Sequence, residues 1–363
     1  MRKIHYRHTF LPSARETRPV LQRRSFLGLP LLALCGSANS AWAGNSVETS
    51  KVRVTIGGKA FLQYAPVTLA ERLGFFRDAG LDPELLDVSG GSKALQALVA
   101  GSAELTAGAF DHTIQMHAKG QKIVGVVLFG RHPTFALALR KEKAADYRDP
   151  SSLRGMKIGV TALGSQTQFM VEYIALRAGV SPADISFVSV GGGTGAVAAI
   201  RNGAVDGVVT GEPALTTLTS AGDVKLVADT RTNEGTIGIF GGLYPSGTIY
   251  ARSDFIERNP DTLQAFVLAM VRALQWIDRA SVDEIADALP EEWAKPDRNI
   301  FLASVRSTRD MFSPDGRFSA EGAGIAFQVL STVDPQLRGV KVDLAETFTN
   351  RFVEKALQTL ASK

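Results

Sequence analysis

The chain has 363 residues, 45% of them hydrophobic and 21% charged, which is ordinary for a globular protein with a full core and enough chain for two domains. The formal net charge is +4, but residues 1–43 hold seven Lys/Arg and one Glu, which leaves a body of charge −2. A near-neutral, slightly acidic body argues against a nucleic-acid binder, which would need a basic patch.

The N-terminal segment explains the basic excess. "QRRSFLGLPLLALCGSANSAWAG" puts the twin arginine Arg23-Arg24 before an apolar run from Phe26 to Leu34. That run is shorter than the roughly 20 residues of a membrane span. Small residues at Ala41 and Ala43 suit a signal peptidase. The pattern reads as a twin-arginine export signal, removed near Ala43, that delivers a folded chain to the periplasm. A retained anchor helix and lipidation of Cys35 within "LALC" are the other readings. Cleavage removes Cys35, the sole cysteine. His112, His117 and His132 then remain without metal-ligand spacing, so no metal and no cofactor are expected.

From residue 51 the chain alternates strands and helices. "KVRVTIGG" reads as a strand and "KAFLQY" as a loop. "APVTLAERLGFFRDAG" reads as a helix ended by Gly80. "LDPELLDVSGG", "ELTAGAF" and "KIVGVVLFG" are strands, with "SKALQALVAG" and "HTIQMHAKG" as helices between them. This rhythm predicts a parallel sheet covered on both faces. It restarts with the strand "MKIGVTALG" and the helix "SQTQFMVEYIALRAG", then "VSPADISFVSVGG", "TGAVAAIRNG" and "VDGVVTGEP". "RHPTFALALRKE" and "GGLYPSGTIYARSDF" read as extended crossings between lobes, and mainly helices follow, led by "PDTLQAFVLAMVRALQWI" from Pro260.

The second rhythm copies the first. "GGSKALQALVAGSAE" returns 102 residues later as "GGTGAVAAIRNGAVD", without a gap from Gly90/Gly192 to Glu104/Asp206. The predicted fold is therefore α/β: two doubly wound lobes with mostly parallel sheets and a cleft at the strands' carboxyl ends. Residues 51–134 and 247–363 form lobe I, 135–246 form lobe II, and hinges lie near 131–135 and 244–248. The helical tail is expected to return to lobe I.

Four stretches, in order, carry a family resemblance: "FLQYAPVTLAERLGFFRDAGLDPEL", "GGSKALQALVAGSAELTAGAF", "DPSSLRGMKIGVTALGSQTQFMVEYIALRAGV" with Leu153, Gly155 and Lys157, and "AAIRNGAVDGVVTGEPAL". The body resembles the periplasmic solute-binding proteins of ATP-binding-cassette (ABC) importers, within the group for alkanesulfonate, taurine, nitrate and thiamine-pyrimidine precursors. The resemblance implies a type II periplasmic binding fold. It also implies a monomer that closes on a small anionic or zwitterionic organic ligand, sulfonate-like being favoured, docks on an ABC permease and does no chemistry.

Candidate ligand residues follow from strand ends. Ser165, Gln166 and Thr167 open a helix, where free N–H groups and the helix dipole attract an anion; capping alone would also explain Ser165. Ser92 and Thr194 occupy the equivalent helix starts. Phe61, Gln63 and Tyr64 in the first loop could pack and orient an organic ligand, or pack on their own lobe. Asp111 and His112 end one strand. Arg131 at the hinge could clamp an anion or form a salt bridge. The resemblance turns Glu212 toward the cleft; a helix cap is its other reading. Two rival functions stay open. An exported nicotinamide-dependent oxidoreductase would use Gly191, Gly193 and Ala196 as a dinucleotide fingerprint, with Glu212 as its acid. A ligand-sensing domain for a membrane receptor would use the same lobes with a different partner.

Overall fold

The computed structural model describes residues 46–295 and 297–362; the predicted export signal, its cleavage point near Ala43 and Cys35 lie outside the described residues. Short runs rich in Val, Ile, Leu and Ala form the strands, because such side chains suit a pleated surface buried on both faces. The first sheet takes β1 (Arg53–Ile56), β2 (Glu84–Asp87), β3 (Leu105–Ala109) and β4 (Ile123–Leu128). The chain then crosses over through residues 129–135. The second sheet takes β5 (Ala136–Arg140), β6 (Lys157–Val160), β7 (Ser186–Ser189), β8 (Gly207–Thr210) and β9 (Val224–Asp229). Residues 241–246 return the chain to the first sheet as β10 (Gly247–Arg252).

The strand orders are β2-β1-β3-β10-β4 and β7-β6-β8-β5-β9, so the two sheets share one topology. In each, four strands run one way and one runs against them. β10 lies antiparallel between β3 and β4, and β5 lies antiparallel between β8 and β9. The expectation of mostly parallel sheets therefore needs one refinement: each sheet's opposing strand is the one that has just crossed over.

The duplicated acid has a structural task. The Glu104 carboxylate accepts the backbone N–H of Arg53, the first residue of β1, at 2.7 Å. Its counterpart Asp206 accepts the N–H of Lys157, the first residue of β6, at 2.9 Å. Partial burial works against either charge, but these hydrogen bonds and the nearby Arg53, and Lys143 beside Asp206, hold both carboxyls below their ordinary range. Asp206→Ala should cost about 1 kcal/mol in urea unfolding, the worth of one net hydrogen bond. A variant as stable as the parent would deny this role.

Local differences from the sequence reading have local causes. The helix predicted from Ala65 breaks into Ala65–Arg72 and Phe75–Asp78 because Gly74 takes φ 76°, a left-handed turn that glycine permits at little cost. β9 and the helices Ala214–Ser220 and Asn233–Phe240 had no assignment from sequence.

The tail does not serve the first sheet alone. Helix Pro260–Arg279 packs on the Ala65–Arg72 helix and on Arg351–Ala361, and its Phe266 ring lies tilted against Phe76, centroids 4.7 Å apart. Helix Arg298–Thr308 instead touches Ala214–Ser220 of the second lobe, and Ala320–Val333 packs against Gln166–Arg177. One apolar cluster accordingly joins Phe110 and Leu128 to Met170, Ala326 and Leu330. The tail braces both lobes, because its helices have apolar residues to bury and both lobes offer apolar faces.

Candidate functional site

The carboxyl ends of β1, β3 and β6 converge between the lobes. After β1, a 3-10 turn at Leu62–Tyr64 presents Phe61, Gln63 and Tyr64. After β3, the helix Asp111–Ala118 starts with Asp111 and His112. After β6, the loop from Thr161 leads into the helix Gln166–Arg177. Together with Gly57, Gly91, Ala109 and Phe135, the first loop, His112, Thr161 and the Ser165-Gln166-Thr167 helix start enclose a cavity of about 20 Å³. That is room for one water. The lobes are closed on each other.

Direct contacts seal the closure. The N–H of Ser92 donates to Ser165 Oγ at 3.1 Å, and the Ser92 hydroxyl donates to the Leu163 carbonyl at 2.8 Å. His112 Nε2 lies 3.4 Å from the Gly164 carbonyl, and its Nδ1 lies 3.2 Å from the Tyr250 hydroxyl. The Leu62 N–H donates to the Glu212 carbonyl at 3.1 Å. A methyl group on Gly90 would fall 2.7 Å from Cβ of Ala162, and one on Gly192 would fall 1.9 Å from the Phe61 ring. The first glycine of each repeated pair is thus where the opposite lobe touches.

The polar lining is arranged around two amides. Gln63 Oε1 faces the hydroxyls of Thr134 and Ser246, each at 3.4 Å, while its Nε2 is buried without a partner. The Ser246 hydroxyl donates to Gln166 Oε1 at 2.5 Å. Behind them, the Tyr244 hydroxyl donates to Asp111 Oδ2 at 2.7 Å, and Asp111 Oδ1 is buried without a hydrogen bond, 4.0 Å from His112 Nε2. Burial pushes the Asp111 carboxyl up, despite opposing help from His112 and Tyr244. Burial, then the nearby Asp111 carboxyl, raises the Tyr64 and Tyr244 phenols, and burial likewise raises Tyr250. Among the described residues, no Lys or Arg side chain lines the cavity.

The structure therefore gathers Phe61, Gln63, Tyr64, His112, Ser165, Gln166 and Thr167 at one cavity. Ser92 sits one contact away, on Ser165, and Asp111 lies directly behind. Three predicted residues are elsewhere. Arg131 lines a separate cavity of about 270 Å³ with Arg309 and Asp278 and donates to the Asp310 carbonyl, because the crossing turns its side chain toward the tail. Thr194 is exposed at its helix start. Glu212 is buried, but its carboxylate accepts from Arg231 at 2.8 Å and from the Thr216 N–H at 2.9 Å, so it caps the Ala214–Ser220 helix. Phe135, Thr161, Tyr244 and Ser246 were missed as site residues. Thr161 ends a strand and was within reach of the rule that found Ser165; Tyr244 and Ser246 lie in a crossing, which no periodicity marks. The dinucleotide-type glycines Gly191 and Gly193 follow β7, an edge strand, rather than the central crevice strand such a fingerprint serves.

Two α/β lobes of identical mixed topology, joined by crossing strands and meeting at strand ends, make up the periplasmic-binding-protein fold. Residues 62–279 match the family described as NMT1/THI5 like, and the chain belongs to that family. A solved structure from Bordetella bronchiseptica RB50 is 40% identical, covers 87% of this chain and 100% of its own, and superposes with a TM-score of 0.85. The periplasmic nitrate-binding protein NrtA from Synechocystis PCC 6803 is 18% identical, with 88% and 91% coverage and a TM-score of 0.70. The alkanesulfonate-binding protein SsuA from Xanthomonas axonopodis pv. citri, bound to MOPS, is 20% identical, with 84% and 99% coverage and a TM-score of 0.64. Fungal relatives carry an enzyme name: the 4-amino-5-hydroxymethyl-2-methylpyrimidine phosphate synthase of Aspergillus parasiticus is 23% identical over 271 residues, 71% of this chain and 76% of that protein.

Proposed function

We propose that the protein is the exported solute-binding component of an ABC import system. It holds a small organic ligand between its lobes and passes it, chemically unchanged, to a membrane permease. The observation that carries this reading is the polar and aromatic cavity built from both lobes at the strand ends. A ligand that touches both sides stabilises the closed form, which is what couples binding to a change of shape.

The lining limits the ligand's charge. With no Lys or Arg of the described residues at the cavity, a negative group relies on the start of the Gln166–Arg177 helix and on His112. A singly charged organic anion or a zwitterion, admitted when the lobes part, matches these donors; a doubly charged one leaves charge unmatched. The free Gln63 Nε2 supplies one further donor. Mass spectrometry of what co-purifies, followed by calorimetry with sulfonates, carboxylates and zwitterions, tests the reading. Gln63→Ala should weaken the ligand so found by about 1–2 kcal/mol, roughly tenfold. A ligand that binds the variant equally well would move the site elsewhere. Release of an altered ligand would favour instead the synthase reading that the fungal relatives' names support.

A further inference from the structure

The cavity beside Arg131 lies outside the interlobe site. It measures about 270 Å³, many times the room one water needs, and it shares no lining residue with the cavity between the lobes. Paired backbone builds its wall. The Arg131 N–H donates to the Met311 carbonyl at 2.8 Å, and the Ser313 N–H donates to the Phe129 carbonyl at 3.0 Å. Between them Gly130 pairs antiparallel with Phe312. These bonds hold the first crossing to the tail, so the cavity has a fixed frame.

Charge and apolar surface are sorted inside it. Arg131 and Arg309 are half-buried, whereas Asp278 and Asp310 are exposed. Both guanidiniums donate to backbone carbonyls, Arg131 to Asp310 and Arg309 to Asp278 at 2.9 Å. A carbonyl satisfies a donor but does not neutralise a charge. Among the described residues neither arginine forms an ion pair, and the Asp278 and Asp310 carboxylates are equally unpaired. Arg131 Nε is buried without a partner, so protein serves that guanidinium only in part. Leu274 and Ile277, each 1% exposed, form an apolar wall beside these groups. Two cations thus lie deeper than two anions, next to hydrocarbon.

From this arrangement we propose that the cavity is a second binding site, for a zwitterionic amino acid with an apolar side chain the size of leucine. The carboxylate meets the spare N–H groups of Arg131 and Arg309, whose planar forks suit it. The ammonium faces Asp278 and Asp310 at the rim. The side chain covers Leu274 and Ile277 and leaves water. A plain anion would use the arginines but face two unmatched carboxylates, and a plain amine would meet the reverse. The site stands whether or not the protein serves transport, because it uses none of the interlobe residues.

Methyl NMR of the purified protein, titrated separately with L-leucine, isocaproate and isoamylamine, tests the site. Isocaproate is leucine without its ammonium, and isoamylamine is leucine without its carboxylate. At millimolar concentration leucine should shift the Leu274 and Ile277 methyl resonances and leave that of Thr161, in the interlobe cavity, in place. Isoamylamine should bind about tenfold more weakly, having lost the bonds to the arginines. Isocaproate should bind about threefold more weakly, because exposed acids contribute less. Arg309→Gln should weaken leucine several-fold, and Asp278→Asn should narrow its advantage over isocaproate. Circular dichroism checks that both variants fold; Asp278 is exposed, so its variant decides the matter if Arg309→Gln does not fold. Leucine that shifts nothing, or only Thr161, overturns the proposal. So does either analogue binding as well as leucine, undiminished affinity in Arg309→Gln, or an unchanged gap to isocaproate in Asp278→Asn. A solute panel that finds no binder between the lobes would remove the transport reading and leave these shifts as they are.

Discussion

Replacing Arg231 with methionine should destabilise the protein by about 3–5 kcal/mol, the penalty of stranding a buried carboxylate. The Glu212 side chain is 0% exposed and that of Arg231 18%, with 2.8 Å between them. The same guanidinium forks onto Asp229 at the end of β9, with Nε 3.0 Å from Oδ1 and Nη2 2.7 Å from Oδ2. The tail adds the Ser307 hydroxyl, which donates to Glu212 at 3.3 Å. One cation thus ties the ends of β8 and β9 at the point where a tail helix leans on the second lobe. Removing both partners, as Glu212→Gln with Arg231→Met, should cost less than Arg231→Met alone, because no unpaired charge then stays inside. Chemical denaturation of the three proteins decides the matter. A loss below about 1 kcal/mol for the single variant would mean that water reaches Glu212 and that the pair is a surface one.

A second large effect concerns acidity. Burial raises the folded-state pKa of Asp111 above the unfolded value of 3.8. Between those two values the folded protein keeps the proton that the unfolded chain has lost. Stability from this group is therefore complete below pH 3.8 and is lost as pH rises through the folded pKa, with a limiting slope of about 1.4 kcal/mol per pH unit. Asp111→Asn should flatten that part of the stability–pH curve and leave the mutant relatively more stable above the window. Urea unfolding at half-unit steps of pH from 3.5 upward reads this directly. Parallel curves for parent and variant would show that the carboxyl is solvated and not buried beneath Tyr244.

The lobes were legible because their signals are local. Val-, Ile- and Leu-rich runs with glycine ends gave the strands, and the copy of Gly90–Glu104 at Gly192–Asp206 gave the repeat. Strand-end reasoning then placed Ser165, Gln166, Thr167, Gln63 and His112 at one cavity. What it could not provide was the direction of a side chain at a crossing. Arg131 and Glu212 sit at the expected ends of strands, but each turns to satisfy a partner from a distant segment, Asp310 or Arg231. The glycine pairs were visible as a motif, while their meaning depends on Phe61 and Ala162 arriving from the facing lobe. β9 escaped assignment because VKLVAD does not alternate cleanly, although Gly222 punctuates its start.

The swapped strands also fix an order of assembly. All five strands of the second sheet come from one uninterrupted stretch, 136–229, so that sheet has every strand it needs once this stretch has left the ribosome. The first sheet begins earlier in the gene but waits longer. Until residues 247–252 emerge, β3 and β4 have no strand between them, and each offers an open edge to any neighbouring chain. The half that is made first is therefore the half that folds last.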